Sequence, residues 1–293
     1  MRRATICPVG GERGPAGTLF LVGTPIGNLG DMTDRARETL AAVDVVAAED
    51  TRRTGTLLKR FGIRARMVSL HDANERERTG DLLEALRSGR DVAVVSDAGM
   101  PGVSDPGFRL VRAAVEEGVE VRVVPGPSAA VAALVASGLP TDRFVFEGFL
   151  PRRAAERRRR LEELGAEPRT IVLFESPRRV AATLAEAMEA LGDRRVAVAR
   201  ELTKLHEEIL RGTISEVLPR AAELKGEVVV VLEGRTTEPK PDLAALVAEA
   251  GELVANGYRK RDAAARVARR RGGSANEIYR ALVGGGDEPR PTP

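Results

Sequence analysis

No tryptophan occurs in this chain, and aromatic residues make up only 3% of it. That argues against a surface that stacks many bases on aromatic rings. There is one cysteine, Cys7, and there are two histidines, His71 and His206. A disulfide framework within one chain is ruled out, as is a cysteine-rich zinc site, and no metal is expected. No apolar run approaches the ~18 residues of a membrane-spanning helix, so no membrane partner is expected. Residues 1–17 hold Arg, Pro and Gly but no apolar stretch; they read as a flexible extension, not a signal peptide, and the default location is cytoplasmic. Neither GxGxxG nor GxxxxGK[ST] occurs, which removes the usual dinucleotide and P-loop fingerprints. Lys plus Arg total 46 against 43 Asp plus Glu, a net charge of +3. That total is too small to identify a polyanion binder, so the distribution of charge must decide.

What is present is an alternation. The 293 residues suggest about two domains, and 43% apolar with 30% charged residues is ordinary for a globular protein. Short apolar runs at Leu19 to Gly23, Val43 to Ala48, Asp91 to Ser96 and Val119 to Val124 read as strands. Stretches with apolar spacing of three and four at Ala36 to Val43, Asn74 to Leu86 and Phe108 to Val115 read as helices. Strands separated by helices predict βαβ units and a mostly parallel sheet covered on both faces. Asp105-Pro106 is a candidate N-cap with Pro at the first helical position. Pro127-Ser128 opens the Ala-rich run Ala129 to Ala136, which Gly138-Leu139-Pro140 closes. A second α/β block has strands at Phe144 to Glu147, Thr170 to Phe174, Arg195 to Ala199 and Glu227 to Leu232, with a helix from Ser176-Pro177 through Leu191. Glu238-Pro239-Lys240-Pro241 reads as a linker, Leu243 to Val283 as helical, and Gly284 to Pro293 as disordered. The expected division is 1–17 extension, 18–138 and 139–237 α/β domains, and 238–293 basic helical tail.

Three Gly/Pro-rich turns follow strands in the first block: Gly23-Thr24-Pro25-Ile26-Gly27-Asn28, the long loop Ser96 to Gly107, and Pro125-Gly126-Pro127-Ser128-Ala129. In an open α/β sheet, ligands sit beyond the carboxyl ends of the strands, and small residues there let backbone approach a ligand. Asp97 can hold a cationic or hydroxylated group, and the helix opening after Ser128 offers free N–H groups. Ala48-Glu49-Asp50-Thr51-Arg52 reads either as a capped helix start with an ion pair or as part of a site. His71-Asp72-Ala73-Asn74-Glu75 is a capping turn by composition. Glu175, Arg200, Glu201 and Lys204 sit at strand ends of the second block and either line a shared cleft or pair on the surface. Arg152 to Arg160 holds six Arg and one Glu, and Gly257 to Val283 holds eight Lys/Arg against Asp262 and Glu277. These two basic patches suit phosphates, or form solvated helix faces. Asp262 to Ala268, Gly272-Gly273 and Ser274 to Tyr279 look like a helix-turn-helix unit.

Taken in order, LFLVGTPIGNLGDMT (Leu19 to Thr33), AAEDTR (Ala47 to Arg52), SLHDANE (Ser69 to Glu75), VSDAGMPGVSDPG (Val95 to Gly107), VPGPSA (Val124 to Ala129) and FESPRR (Phe174 to Arg179) resemble the ribosomal RNA small subunit methyltransferase I family of the tetrapyrrole methylase superfamily. The resemblance runs from Leu19 to about Leu282. It implies two α/β domains with S-adenosylmethionine in the cleft between them, a class III methyltransferase architecture, plus a small C-terminal helical element and a homodimer. It further implies transfer of methyl to a cytidine 2'-hydroxyl in the decoding region of 16S RNA, with 16S RNA or the small subunit as partner. Carried over by position, Pro25, Ser96, Asp97, Ala98, Met100, Ser128 and Ala129 face the cofactor, as do Glu175 and Leu202 by spacing. For such a transfer the protein mainly aligns reactants, and a base within hydrogen-bond reach of the hydroxyl helps. The base candidates are Glu49, Asp50, Glu201 and Lys204, the last requiring a depressed pKa; His71 is a further possibility. Arg52 and Arg200 would hold RNA phosphate beside the target, and Arg259, Lys260, Arg261, Arg269 and Arg270 would hold it from the tail. Two alternatives stay open: a small-molecule methyltransferase of the same superfamily, which would need no basic tail, and a non-catalytic RNA-binding assembly factor, which would need no intact ligand loops.

Overall fold

A computed structural model describes residues 16–236, 243–271 and 274–284. The expected extension 1–17 lies outside the described residues but for its last two. The expected Pro linker, the Gly272-Gly273 turn and the tail end from 285 also lie outside them. Residues up to Arg235 form one compact unit and those from Thr236 another.

The first half of the larger unit contains β1 (Leu19–Val22), α1 (Asp34–Ala42), β2 (Val45–Ala48), α2 (Thr51–Arg60), β3 (Met67–Ser69), α3 (Glu75–Arg87), β4 (Val92–Val95), α4 (Phe108–Glu116), β5 (Val121–Val124) and α5 (Ala129–Ser137). The sheet order is β3-β2-β4-β1-β5, and every pairing is parallel. Strand side chains alternate between faces. Leu19, Val45, Ala47, Val92 and Val94 pack with Leu82, Leu86 and Leu110 from α3 and α4. Phe20, Val22, Val46, Ala48, Ala93 and Val95 pack with Ala36, Leu40 and Leu58 from α1 and α2. Both faces are covered, as the near-continuous apolar strands require.

The second half contains β6 (Phe144–Phe149), α6 (Ala154–Leu164), β7 (Thr170–Glu175), α7 (Val180–Leu191), β8 (Arg195–Arg200), β9 (Glu208–Thr213), α8 (Ile214–Ala221) and β10 (Val228–Leu232). Its sheet, β6-β7-β10-β8-β9, is parallel only between β6 and β7. One face carries α6, α7 and α8 on Ile171, Leu173, Val198 and Val230. The other buries Val172, Ala197, Ala199, Val229 and Val231 against Ala130, Ala133 and Leu134 of α5. α5 follows the last strand of the first sheet yet packs on the second. Of AAVAALVAS, Ala130, Ala133 and Leu134 are buried there, while Val131 and Val135 stay exposed. That docking joins the two sheets into one unit.

Two local expectations need correction, and two elements were not foreseen. The N-cap of α4 is Gly107 (φ 125°), not Asp105. The buried Glu75 carboxylate does the capping instead, its Oε1 accepting from the backbone N–H groups of Gly107 (2.9 Å) and Arg109 (3.0 Å). Ser176-Pro177 begins a turn, and α7 starts only at Val180. β9 and α8 carry no single sequence pattern, because ILRGTISEVLPRAA mixes both periodicities over a short span.

The smaller unit is α9 (Leu243–Ala255), α10 (Lys260–Arg271) and α11 (Ala275–Gly284) around Leu246, Ala250, Ala263, Ala264, Val267 and Ile278. Glu249 of α9 pairs with Arg270 and Arg271 of α10, and the Arg266 guanidinium lies 5.4 Å from the Tyr258 ring centroid.

Candidate active site

The sheet order places β1 between β4 and β5, so the three Gly/Pro-rich loops at their carboxyl ends are neighbours. Thr24 and Gly99 exchange backbone hydrogen bonds of 2.9 and 3.1 Å, tying the first loop to the second. A Cβ on Gly23 would lie 2.6 Å from the Cα of Gly126, so the first and third loops touch backbone to backbone. Only glycine permits that approach.

These loops form one wall of a cavity of about 450 Å³, whose opposite wall is the second sheet. That size suits a cofactor-sized ligand. Asp97, Ala98, Met100, Ser128 and Ala129 line it from the first half, and Glu175 and Leu202 from the second. Pro25 and Ser96 instead line an adjoining groove of about 260 Å³. Ser128 caps α5, accepting from the Val131 N–H at 3.5 Å. The Glu175 side chain is fully enclosed: its carboxylate accepts from Ser176 N (2.7 Å), Arg179 Nε (2.8 Å) and Thr183 Oγ1 (2.7 Å). Its carboxylate therefore holds the start of α7 rather than standing free.

Glu49 is the one base candidate in the cavity wall. It accepts from the Asp97 N–H at 3.1 Å, while Asp97 accepts from the Asp50 N–H (3.2 Å) and pairs with Arg53 (2.7 Å). Asp50 itself caps α2 and grips Arg52 through both oxygens. Hydrogen bonds from Arg52 hold its carboxyl down at about 2, which makes it a poor proton acceptor near neutrality. Glu201 and Lys204 form a closed pair: Lys204 Nζ donates to Glu201 at 2.9 Å and to Glu227 at 3.0 Å, and Glu201 also accepts from the Glu227 N–H. Burial alone would lower the Lys204 pKa, but its two carboxylate partners outweigh burial and raise it. The depressed lysine that a base would need is not what these contacts produce. Lys204 sits against Gly27, whose added Cβ would meet the lysine Cγ at 2.5 Å. Glu201 and Thr203, at φ 50° and 67°, take left-handed backbone that is uncommon outside glycine. Arg52 is 90% exposed, and Arg200 pairs with Glu208 at 2.8 Å. His71 is exposed beside the α3 cap, its backbone N–H donating to Asn74 Oδ1 at 2.8 Å.

Asp105 does not cap α4 but lines the cavity. Burial, then repulsion from Glu49, pushes its carboxyl up to about 6, with Asp97 and Asp72 adding and a Ser96 hydrogen bond opposing. Its pattern in sequence, Asp-Pro before an apolar helix, is that of a cap, and only the Glu75 contact frees it from that task. Phe149 and Phe174, with ring centroids 5.6 Å apart, also line the cavity; a chain with so few aromatics gave that cluster no periodic signal.

The basic run at 152–160 is balanced locally. Arg153 pairs with Glu156, Arg157 with the half-buried Glu186 (2.7 Å), Arg158 with Glu189, Arg159 with Glu163, and Arg160 with Glu147 and Glu163. In the tail, Lys260 donates to the Leu282 carbonyl and Arg270 pairs with Glu249, whereas Arg259, Arg261 and Arg269 form no ion pair among the described residues. No group of three or more His, Cys, Asp or Glu among the described residues is arranged to hold a metal.

Residues 18–218 match the Tetrapyrrole (Corrin/Porphyrin) Methylases. The ribosomal RNA small subunit methyltransferase I of Halalkalibacterium halodurans is 45% identical over 275 residues, 92% of this chain and 95% of that protein. This chain belongs to that methyltransferase family. The family member of Mycobacterium tuberculosis is 48% identical over 273 residues, again 92% and 95% of the two chains. That of Thermotoga maritima is 50% identical over 221 residues, 99% of its own length but 75% of this one. Among solved structures, the methyltransferase CobJ aligns with TM-score 0.58 at 22% identity over 75% of this chain and 95% of its own. Uroporphyrin-III C-methyl transferase of Thermus thermophilus, complexed with S-adenyl homocysteine, aligns at TM-score 0.52 and 23% identity, over 74% of this chain and 97% of its own. These likenesses show that this methyltransferase I family member has the fold of the superfamily, two α/β halves of the class III methyltransferase type.

Proposed function

We propose that this protein transfers methyl from S-adenosylmethionine to the ribose 2'-hydroxyl of a cytidine in the decoding region of 16S ribosomal RNA. The observation that carries the reading is the joint one: near-full-length identity of 45–48% to proteins named ribosomal RNA small subunit methyltransferase I, with three ligand loops converging on one cavity. The residues present fit the cofactor. Backbone of the Gly-rich loops and the small side chains of Ala98 and Ala129 leave room for it, Phe149 and Phe174 offer an apolar wall, and acids predominate over the single Arg53 around a ligand that is itself cationic. When bound, the cofactor supplies an electrophilic methyl on a sulfonium.

The chain's own task is then alignment and proton acceptance. Glu49 and Asp105 are the wall carboxylates that no Arg or Lys ties down. A carboxyl near 6 is well matched to taking the ribose proton near neutrality, so Asp105 joins Glu49 as base candidate. The Glu201–Lys204–Glu227 cluster is assigned to shaping the loop facing Gly27. Arg52, exposed, is assigned to RNA phosphate, as are Arg259, Lys260, Arg261, Arg269 and Arg270 of the tail. Exposed Val123 on edge strand β5, Phe108 and Val115 on α4 and Val131 and Val135 on α5 support a homodimer. Action on ribosomal RNA supports a cytoplasmic location.

Purified protein, methyl-labelled S-adenosylmethionine and small subunits lacking the modification test this. Label on one cytidine 2'-oxygen is the expected result. Cofactor binding without label on subunits or naked RNA would refute the substrate, and absence of cofactor binding would refute the enzyme class.

A further inference from the structure

Arginine is abundant here, but most of it near the sheets is already neutralised, as on α6. The face of α2 is different. Arg53, Thr56, Leu57 and Arg60 recur at helical spacing on one side of that helix and line the groove of about 260 Å³ that faces the first loop. Its far wall holds Pro25, Gly27 and the exposed Leu29. The floor holds Asp97, so the Arg53–Asp97 ion pair is common to the groove and the cofactor-sized cavity. Beyond Arg53 the charge is free. Lys59, Arg60, Arg64 and Arg66 are exposed and form no ion pair among the described residues, with no acid between positions 59 and 66.

The plainest explanation is the helix dipole. Lys59 and Arg60 lie in the last turn of α2, where a cation stabilises by about 0.3–1 kcal/mol. That accounts for cations in the helix, but not for Arg64 and Arg66 beyond it, nor for a groove that opens beside the reaction cavity.

We propose that this groove is the entry track for the substrate RNA, with Arg60 and the neighbouring Lys59, Arg64 and Arg66 gripping backbone phosphates next to the target ribose. The proposal rests on the RNA methyltransferase reading above. Planar guanidinium groups suit phosphate oxygens, and Leu29 and Leu57 give a ribose or base an apolar surface without demanding sequence. The track leads to the cofactor cavity across a single ion pair, so a ribose can be presented there while its flanking phosphates stay held. It needs no aromatic stacking, which this chain could not supply in quantity.

The test compares three full-length proteins: wild type, K59A/R60A and R158A/R159A. The last pair lies on α6, where both arginines are matched by glutamates. Affinity for unmodified small subunits is measured by filter binding across a salt series, methyl transfer by label incorporation, and cofactor affinity by calorimetry. K59A/R60A should bind subunits several-fold more weakly, and its log K against log salt should be shallower by about two, one per lost phosphate contact. Its cofactor affinity should be that of wild type, and R158A/R159A should match wild type throughout. Unchanged subunit affinity and salt slope in K59A/R60A would overturn the inference, as would an equal loss in R158A/R159A. A wild type that binds cofactor yet neither binds nor methylates subunits would instead remove the substrate reading on which the inference stands.

Discussion

Asp105 is a carboxylate that the fold holds at a cost, and replacing it should make the protein more stable and less active. Its pKa rises from 3.8 to about 6. A full shift of that size corresponds to about 3 kcal/mol. The residue is only partly buried, and solvent at the cavity mouth screens the charge, which leaves ~1–2 kcal/mol. The sign follows from proton binding. The folded state binds the proton more tightly than the unfolded state, so stability falls as pH rises from about 4 to 6, and above 6 the whole penalty is present. Asp105→Asn keeps the shape and removes the charge. At pH 7.5 it should melt roughly 3–6 °C higher than wild type, from the usual conversion for a unit of this size. The gap should close towards pH 4.5, where wild type is protonated too. Other titrating groups cancel because only the difference between the two proteins is read. Single-turnover methyl transfer should fall by about 10² or more if the carboxylate takes the ribose proton. A variant that is less stable at pH 7.5, or a gap that stays constant down to pH 4.5, would refute the electrostatic argument. Unaltered transfer in a stabilised variant would refute the role as base and return it to Glu49.

Other outcomes follow from the same contacts. Glu75→Ala strips two backbone N–H groups of their acceptor at the start of α4; a loss of about 2 kcal/mol in denaturant unfolding is expected, with weaker cofactor binding because the Ser96 to Gly107 loop loses its anchor, and Glu75→Gln should recover part of both. Gly23→Ala drives a Cβ into the backbone of Gly126 and the sulfur of Met100; calorimetry should show weakened cofactor binding, and melting a loss of about 1–3 kcal/mol. Lys204→Met removes the cation between Glu201 and Glu227 but, since that lysine stays protonated at neutral pH, the pH–rate profile should keep the wild-type shape; disappearance of its acidic limb would reinstate Lys204 as the base.

Reading the sequence alone succeeded where one local pattern had one physical cause. Strand–turn–helix alternation in residues 19–137 can hardly produce anything but a parallel sheet, and glycines at three strand ends announce close backbone approach before any neighbour is known. It failed where the partner lies far off in sequence. Asp50 and Arg52 were legible as a cap because cap and capped group are adjacent. Asp105 was not, since the residue that takes over capping, Glu75, comes from another helix. The basic run on α6 reads as one of two phosphate patches because three of its glutamate partners, Glu147, Glu186 and Glu189, lie outside that helix and are invisible as partners in one dimension. The α2 face passed unnoticed because its charge is dilute in sequence and becomes concentrated only when helical spacing and the first loop enclose it. Local charge density in a sequence therefore measures supply, whereas a binding surface is set by what remains after tertiary ion pairs form.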